Sequence, residues 1–285
     1  MTGSANLGDA TSHWLYSGLS EKELTKVNAK NEDISYLAAG SILRLCKKNH
    51  IVMGTGFISD GDDLGKGGWG GPYNGVVFQK PLKILSVRGP KTRNKLMSMG
   101  VDCPETYGDP LLVSPLIYDK EMKIEYDIGI IPHYVDKKTE HFLLLKDRLS
   151  KKYKVNYINI MSGSSPEHFV NELKKCEYII SSTLHGVMLG LAYGKKTIFT
   201  EFSNRVVGKK FKFYDFFESI NVNYYNVLAF DNSNLLKNEI KIDKQGLINT
   251  GADIINVCPI IEPPRKRNLT AQWQQHVNTI LENKT

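Results

Sequence analysis

The 285-residue sequence lacks several features that would each have named a class. Its four cysteines, Cys46, Cys103, Cys176 and Cys258, are scattered without a C-x-x-C pair. They read as packing thiols in a reducing compartment, with neither a disulfide framework nor a zinc site. No apolar run approaches the length that spans a bilayer, and no charged-then-apolar leader opens the chain, so a cytoplasmic protein is the expectation. The glycine-rich turns carry no G-x-G-x-x-G dinucleotide fingerprint, and the acidic start of residues 60–75 lacks the spacing and terminal glutamate of a calcium loop. No metal site is expected.

What is present is ordinary for a globular protein, 41% apolar and 24% charged, but basic overall, with a net charge of +7 and a pI near 9.0. That balance attracts an acidic partner: nucleic acid, an anionic membrane face or a phosphorylated substrate. Lysines and acids are interspersed and no nucleic-acid motif appears, so no nucleic-acid partner is expected.

The informative stretch is 176–201, CEYIISSTLHGVMLGLAYGKKTIFTE. A short apolar run with Ile179 and Ile180 reads as a strand, Ser181, Ser182 and Thr183 as N-cap residues, and Val187 and Leu191 continue at helical spacing until Gly194. A second strand, 197–200, completes a βαβ unit. His185 then falls on the first helical turn, at the carboxyl edge of a parallel sheet, where backbone N–H groups favour an anion. Helix capping and packing alone would explain the same residues.

Elsewhere, residues 34–43 and 51–57 read as strands ending in Gly40-Ser41 and Gly54-Thr55-Gly56. Residues 83–87 form a strand, Pro90 opens a helix and Gly100 ends it. Arg88 lies between them, with a planar fork suited to carboxylate or phosphate. Residues 60–75 mix glycines with Trp69 and Tyr73, a loop suited to sugar stacking or to a mobile lid. Residues 118–125 are charged without an apolar face and mark a linker. Residues 126–135 form a strand ending near Pro132-His133, followed by a helix at 138–151, a strand at 155–161, a turn at Ser162-Gly163 and a helix at 166–175. Arg205, Lys209, Lys210 and Lys212 add positive charge after the central unit; the three lysines read as a solvated face. From Asn268 a helix carries Trp273, Val277, Ile280 and Leu281 on one side, a packing surface, while Arg265-Lys266-Arg267 leaves peripheral contact with acidic lipid open.

The segment Ser181-Ser182-Thr183-Leu184-His185-Gly186 resembles the signature of the polysaccharide pyruvyl transferase family. So do Ser-x-Arg at Arg88, Tyr107-Gly108-Asp109-Pro110, Pro132-His133, and Asn6-Leu7-Gly8-Asp9, a turn by composition. In the family a strand precedes this last motif; here none is evident. The resemblance, which runs from Asn6 to about Phe217, implies an α/β fold of two Rossmann-like domains facing across a cleft, glycosyltransferase-B-like. The division is 1–120 on the acceptor side and 121–285 on the phosphoenolpyruvate side, with the C-terminal helix packing across both. It implies transfer of the pyruvyl group of phosphoenolpyruvate to a sugar or lipid-linked oligosaccharide of a cell-surface polysaccharide, as a cyclic ketal, with no cofactor beyond that donor. Asp9 and His185 are the implied catalytic residues; Arg88, Arg205, His133, Ser181, Ser182, Gly186 and Asn6 are the implied binding residues, and Asp109 is structural. A nucleotide-sugar glycosyltransferase on the same architecture, or a non-catalytic carbohydrate-binding protein, would use similar basic groups.

Overall fold

Residues 7–25, 32–60, 78–160, 165–208, 210–223, 227–228 and 235–282 are described by the computed structural model. In chain order the elements are α1 (Leu7–Ser20), β1 (Ser35–Leu37), β2 (His50–Met53), β3 (Lys83–Ser86) and α2 (Pro90–Ser98). After the 3-10 segment Pro110–Leu116 come β4 (Tyr126–Ile131), α3 (Glu140–Ser150), β5 (Val155–Tyr157), α4 (Pro166–Lys174), β6 (Cys176–Ser181) and α5 (Leu184–Ala192). The chain continues through β7 (Lys196–Glu201), α6 (Phe211–Ser219), β8 (Val227–Leu228), α7 (Lys244–Val257) and α8 (Pro263–Glu282).

The strands form two parallel sheets, ordered β1-β2-β3 and β5-β4-β6-β7-β8. Parallel pairing needs crossover connections, which α3, α4, α5 and α6 accompany in the second sheet. In that sheet the chain leaves β4 for β5 on one side and returns to β6 on the other. The order therefore reverses between β4 and β6, the position where open α/β sheets bind ligands beyond the strands' carboxyl ends.

One buried apolar cluster takes in residues of both sheets and the helices over them, including Met53, Leu112, Ile131, Val187, Phe199, Phe216 and Trp273. α5 is buried at Leu184 and at every residue from Gly186 to Ala192. A helix apolar all round belongs inside a core, and α5 packs against Pro110–Leu116, β6 and β7.

Three helices depart from the sequence reading. Gly8 and Asp9, expected in a turn, lie in the first turn of α1. Thr11, Leu15 and Leu19, spaced four apart and all buried, give that segment one helical face, which outweighs a short turn motif. α6 and α7 were not foreseen. Asn6, residues 61–75 of the aromatic loop, Ser162-Gly163 and Lys209 lie outside the described residues.

α8 buries Leu269, Trp273 and Val277, which settles its apolar face as a packing surface. Trp273 Nε1 donates to Leu247 O at 3.1 Å, and its ring lies against the bare backbone of Gly251. Arg265 turns inward, donating to the carbonyls of Leu19 and Gly18 and pairing with Glu21 at 2.7 Å. Among the described residues no helix is long and apolar enough to cross a membrane. Trp273→Ala should cost about 3–5 kcal/mol in urea unfolding; a loss below about 1 kcal/mol would mean that α8 is not part of the core.

Candidate active site

The ends of β4 and β6 are stitched together at the reversal point. Ser182 N donates to Ile131 O at 3.2 Å, and Ser181 Oγ donates to the same carbonyl at 2.9 Å. His133 N donates to Ser182 Oγ at 2.8 Å, and that hydroxyl donates to Asp136 Oδ2 at 2.7 Å. Ser203 Oγ, beyond β7, donates to the other oxygen of Asp136. One fully buried carboxylate thus holds three loops, and burial raises its pKa against the pull of the two hydroxyls.

At the start of α5, Thr183 Oγ1 accepts from Gly186 N at 3.0 Å. The N–H groups of Leu184 and His185 have no intrahelical acceptor. Gly186 is required by close approach, since a Cβ there would lie 2.4 Å from Ser181 Oγ. His185 is half-buried as a residue, yet its Nε2 is sealed from solvent and has no hydrogen-bond partner among the described residues. Burial, then the positive charges of Lys212 and Arg88, push its pKa down to about 4. His133 is pushed down to about 3 by burial and by Lys212. Both imidazoles are neutral at pH 7.

Lys212 is the residue that sequence reasoning missed. Instead of facing solvent it is 7% exposed, and among the described residues its ammonium has no hydrogen bond or ion pair, only the face of the Phe213 ring at 5.5 Å. Burial and the charge of Arg88 lower its pKa to about 8, opposed by Asp136. The signal lay in the spacing of FKFYDFFES: Phe213, Phe216 and Phe217 face the core, while Lys212, Asp215 and Ser219, at i, i+3 and i+7, share another buried face. Lys210, by contrast, is partly exposed and 3.7 Å from Glu201.

Arg88 departs from the expectation that its fork is offered to a ligand. It is fully buried, its Nε donating to Asp215 Oδ2 at 2.9 Å, one terminal nitrogen to Ser41 Oγ at 2.7 Å and the other to Phe57 O. Thr92 adds its N–H at 2.8 Å and its hydroxyl at 2.7 Å to the same carboxylate. α6 rests directly on Gly89, where a Cβ would come within 1.8 Å of Asp215 O. Arg88 therefore fixes the helix that carries Lys212. Asp109 is buried and structural as expected, accepting from Gly40 N at 3.0 Å and Leu111 N at 3.3 Å, and burial raises it to about 6.

A cavity of about 1170 Å³ opens beside this recess, lined among others by Lys91, Lys138, Ser203, Arg205, Phe211 and Tyr214. Arg205 is exposed there, close enough to Asp136 to act on its charge. His133, His185 and Lys212 do not line the cavity; Ser203 joins it to the Asp136 network.

The sequence model of the family described as polysaccharide pyruvyl transferase matches residues 7–204. The chain belongs to that family. It is also 27% identical over 218 residues to "Uncharacterized protein L143" of Acanthamoeba polyphaga mimivirus, an alignment covering 74% of this chain and 69% of that protein. No solved structure matches.

Within this pyruvyl transferase fold, the structure brings His133, His185, Ser181, Ser182 and Gly186 together at one sheet edge. The Ser181 and Ser182 hydroxyls and the Gly186 N–H are spent on internal bonds, so they shape the recess. Arg205 lines the neighbouring cavity with Ser203, and Arg88 is buried in its pairing with Asp215. Asp9 is in the first turn of α1, its side chain outside the described residues, as is all of Asn6.

Two outcomes follow from these contacts. Arg88→Met leaves Asp215 buried without its counterion and should cost about 3–5 kcal/mol in chemical denaturation, whereas Arg88→Met with Asp215→Leu should recover much of that loss; a single variant as stable as wild type would remove the pair from its structural role. The lowered histidine pKa values mean that the unfolded chain binds protons first as pH falls. His185 therefore adds no pH-dependent penalty above about 6.5, a growing one as pH drops toward 4, and a constant one below that. Unfolding of His185→Gln, measured against wild type between pH 7 and 4, should show a shallower loss of stability; parallel curves would contradict the burial of Nε2.

Proposed function

We propose that this chain transfers the pyruvyl group of phosphoenolpyruvate to two hydroxyls of a sugar, forming a cyclic ketal and releasing phosphate. The observation that carries the proposal, beside family membership, is the sealed Nε2 of His185 at the N-terminus of α5, without a hydrogen-bond partner among the described residues and within reach of the positive charges of Lys212 and Arg88. Such a position favours an anion, and the donor presents a phosphate and a carboxylate close together. The two-domain glycosyltransferase-B-like arrangement, divided near residue 120, belongs to the same reading, with the acceptor on the first part and the donor on the second. The large cavity offers room for a sugar, with Tyr214 and Phe211 on its wall and Arg205 at the rim for the donor carboxylate.

In this reaction the methylene carbon takes a proton, and a sugar hydroxyl oxygen bonds to the adjacent carbon. The bond from that carbon to the phosphate oxygen then breaks, and the second hydroxyl closes the ring. Of the two hydroxyl protons, one ends on the new methyl group and one on phosphate. His185 is neutral before the donor binds, and an arriving dianion raises its pKa, so the imidazole gains a proton where it can be passed on. Asp9 takes the role of base toward the sugar hydroxyl on the strength of the family resemblance. Sugars of a cell-surface polysaccharide, free or lipid-linked, are the acceptor class.

The test is phosphate release from phosphoenolpyruvate with a panel of β-galactosides, N-acetylhexosamines and lipid-linked sugars. Acceptor-dependent release should fall by about 10²-fold or more in folded His185→Ala. No release with any acceptor, together with protection against unfolding by nucleotides but not by phosphoenolpyruvate, would overturn the proposal in favour of a nucleotide-sugar enzyme.

A further inference from the structure

We infer that Lys212 and His185 together form an oxyanion-binding recess, with Lys212 as the cation that meets a phosphate group. Two independent observations converge. A buried ammonium ordinarily has a counterion or several hydrogen bonds, because desolvation penalises a charge left without them. Lys212 is 7% exposed and has neither among the described residues; the charges that act on it are those of Arg88 and, in opposition, Asp136. The second is the buried Nε2 of His185, which lacks a partner among the described residues and feels the charge of Lys212. A nearly buried cation and a sealed imidazole nitrogen, neither with a hydrogen-bond partner among the described residues, stand with the N–H groups that begin α5 and together suit an anion.

The surrounding charges fit a ligand that is strongly negative. Arg88 is neutralised by Asp215, and Asp136 is held by two hydroxyls, so neither carboxylate is bonded to Lys212. His133 adds a neutral imidazole facing the same cation. Lys212 lies beyond residues 7–204, so the family match does not assign it. Placing the donor's phosphate here rests on the pyruvyl-transfer reading; the oxyanion site itself does not.

Inorganic phosphate and phosphoenolpyruvate, titrated separately by calorimetry into wild type, Lys212→Met and Lys212→Arg, distinguish the two claims. Wild type should bind both ions, and Lys212→Met should bind each about 10- to 100-fold more weakly while melting no lower than wild type without ligand, since it removes an unpaired buried charge. A lysine with a merely structural role would instead lower the melting temperature and leave the affinity of the folded protein unchanged, which overturns the inference. Equal binding of both ions by Lys212→Met also overturns it, with pyruvyl transfer intact. Binding of phosphate but not phosphoenolpyruvate, lost in Lys212→Met, upholds the recess and sinks the donor assignment, and binding of neither ion by wild type overturns both. Spectra of wild type labelled with ¹³C at lysine Cε provide a measurement independent of the folding of Lys212→Met. One resonance, identified by its absence in Lys212→Arg, should shift on adding phosphate, and its failure to move counts against the site.

Discussion

The structure turns on a buried ion pair between Arg88 and Asp215. Neither side chain reaches solvent, and the carboxylate also receives both polar groups of Thr92. A buried pair adds little net stability compared with apolar residues of the same volume, but it is specific, because neither partner tolerates the other's displacement. Here that specificity joins the turn after β3 to α6, and so joins the first sheet to the element that flanks the second. The position of Lys212 follows from it, and so does part of the lowered pKa of His185, which burial and then the two cations push down.

The recess at the β4–β6 reversal is expensive to maintain. An ammonium and two imidazoles are desolvated together, and a carboxylate whose pKa is raised by burial ties the loops around them. A protein selected only for stability would place apolar side chains at these positions. On the proposed oxyanion role, the free-energy cost of desolvating these groups would be recovered as affinity for the ligand.

The central βαβ unit was legible in the sequence because its signals are local. An apolar strand, three hydroxyl residues and a small-residue helix lie within 176–201, and observed β6, α5 and β7 fall inside that window. His133 and His185 reach one edge because parallel strands place their carboxyl ends together, which periodicity implies. Arg88 was placed correctly at a strand end, but its partner lies 127 positions away, and no local pattern reveals that pairing. Lys212 looked solvated for the same reason: a run of basic residues suggests a surface, and only the i, i+3, i+7 face of α6 separates it from Lys210. The helical face of α1 was hidden by an Asn-x-Gly-Asp sequence that resembles a turn.

The contact of Gly89 with the carbonyl of Asp215 also bears on how the chain is made. The first sheet and α2 are complete in sequence more than a hundred residues before α6 is synthesised, and until then Arg88 has no carboxylate to receive it. Closing so distant a contact is slow compared with local structure, and domains emerge from the ribosome in order. Until α6 is present, neither the pairing of Arg88 with Asp215 nor the packing on Gly89 can form. Docking of α6 is what turns a growing chain into one with a formed recess.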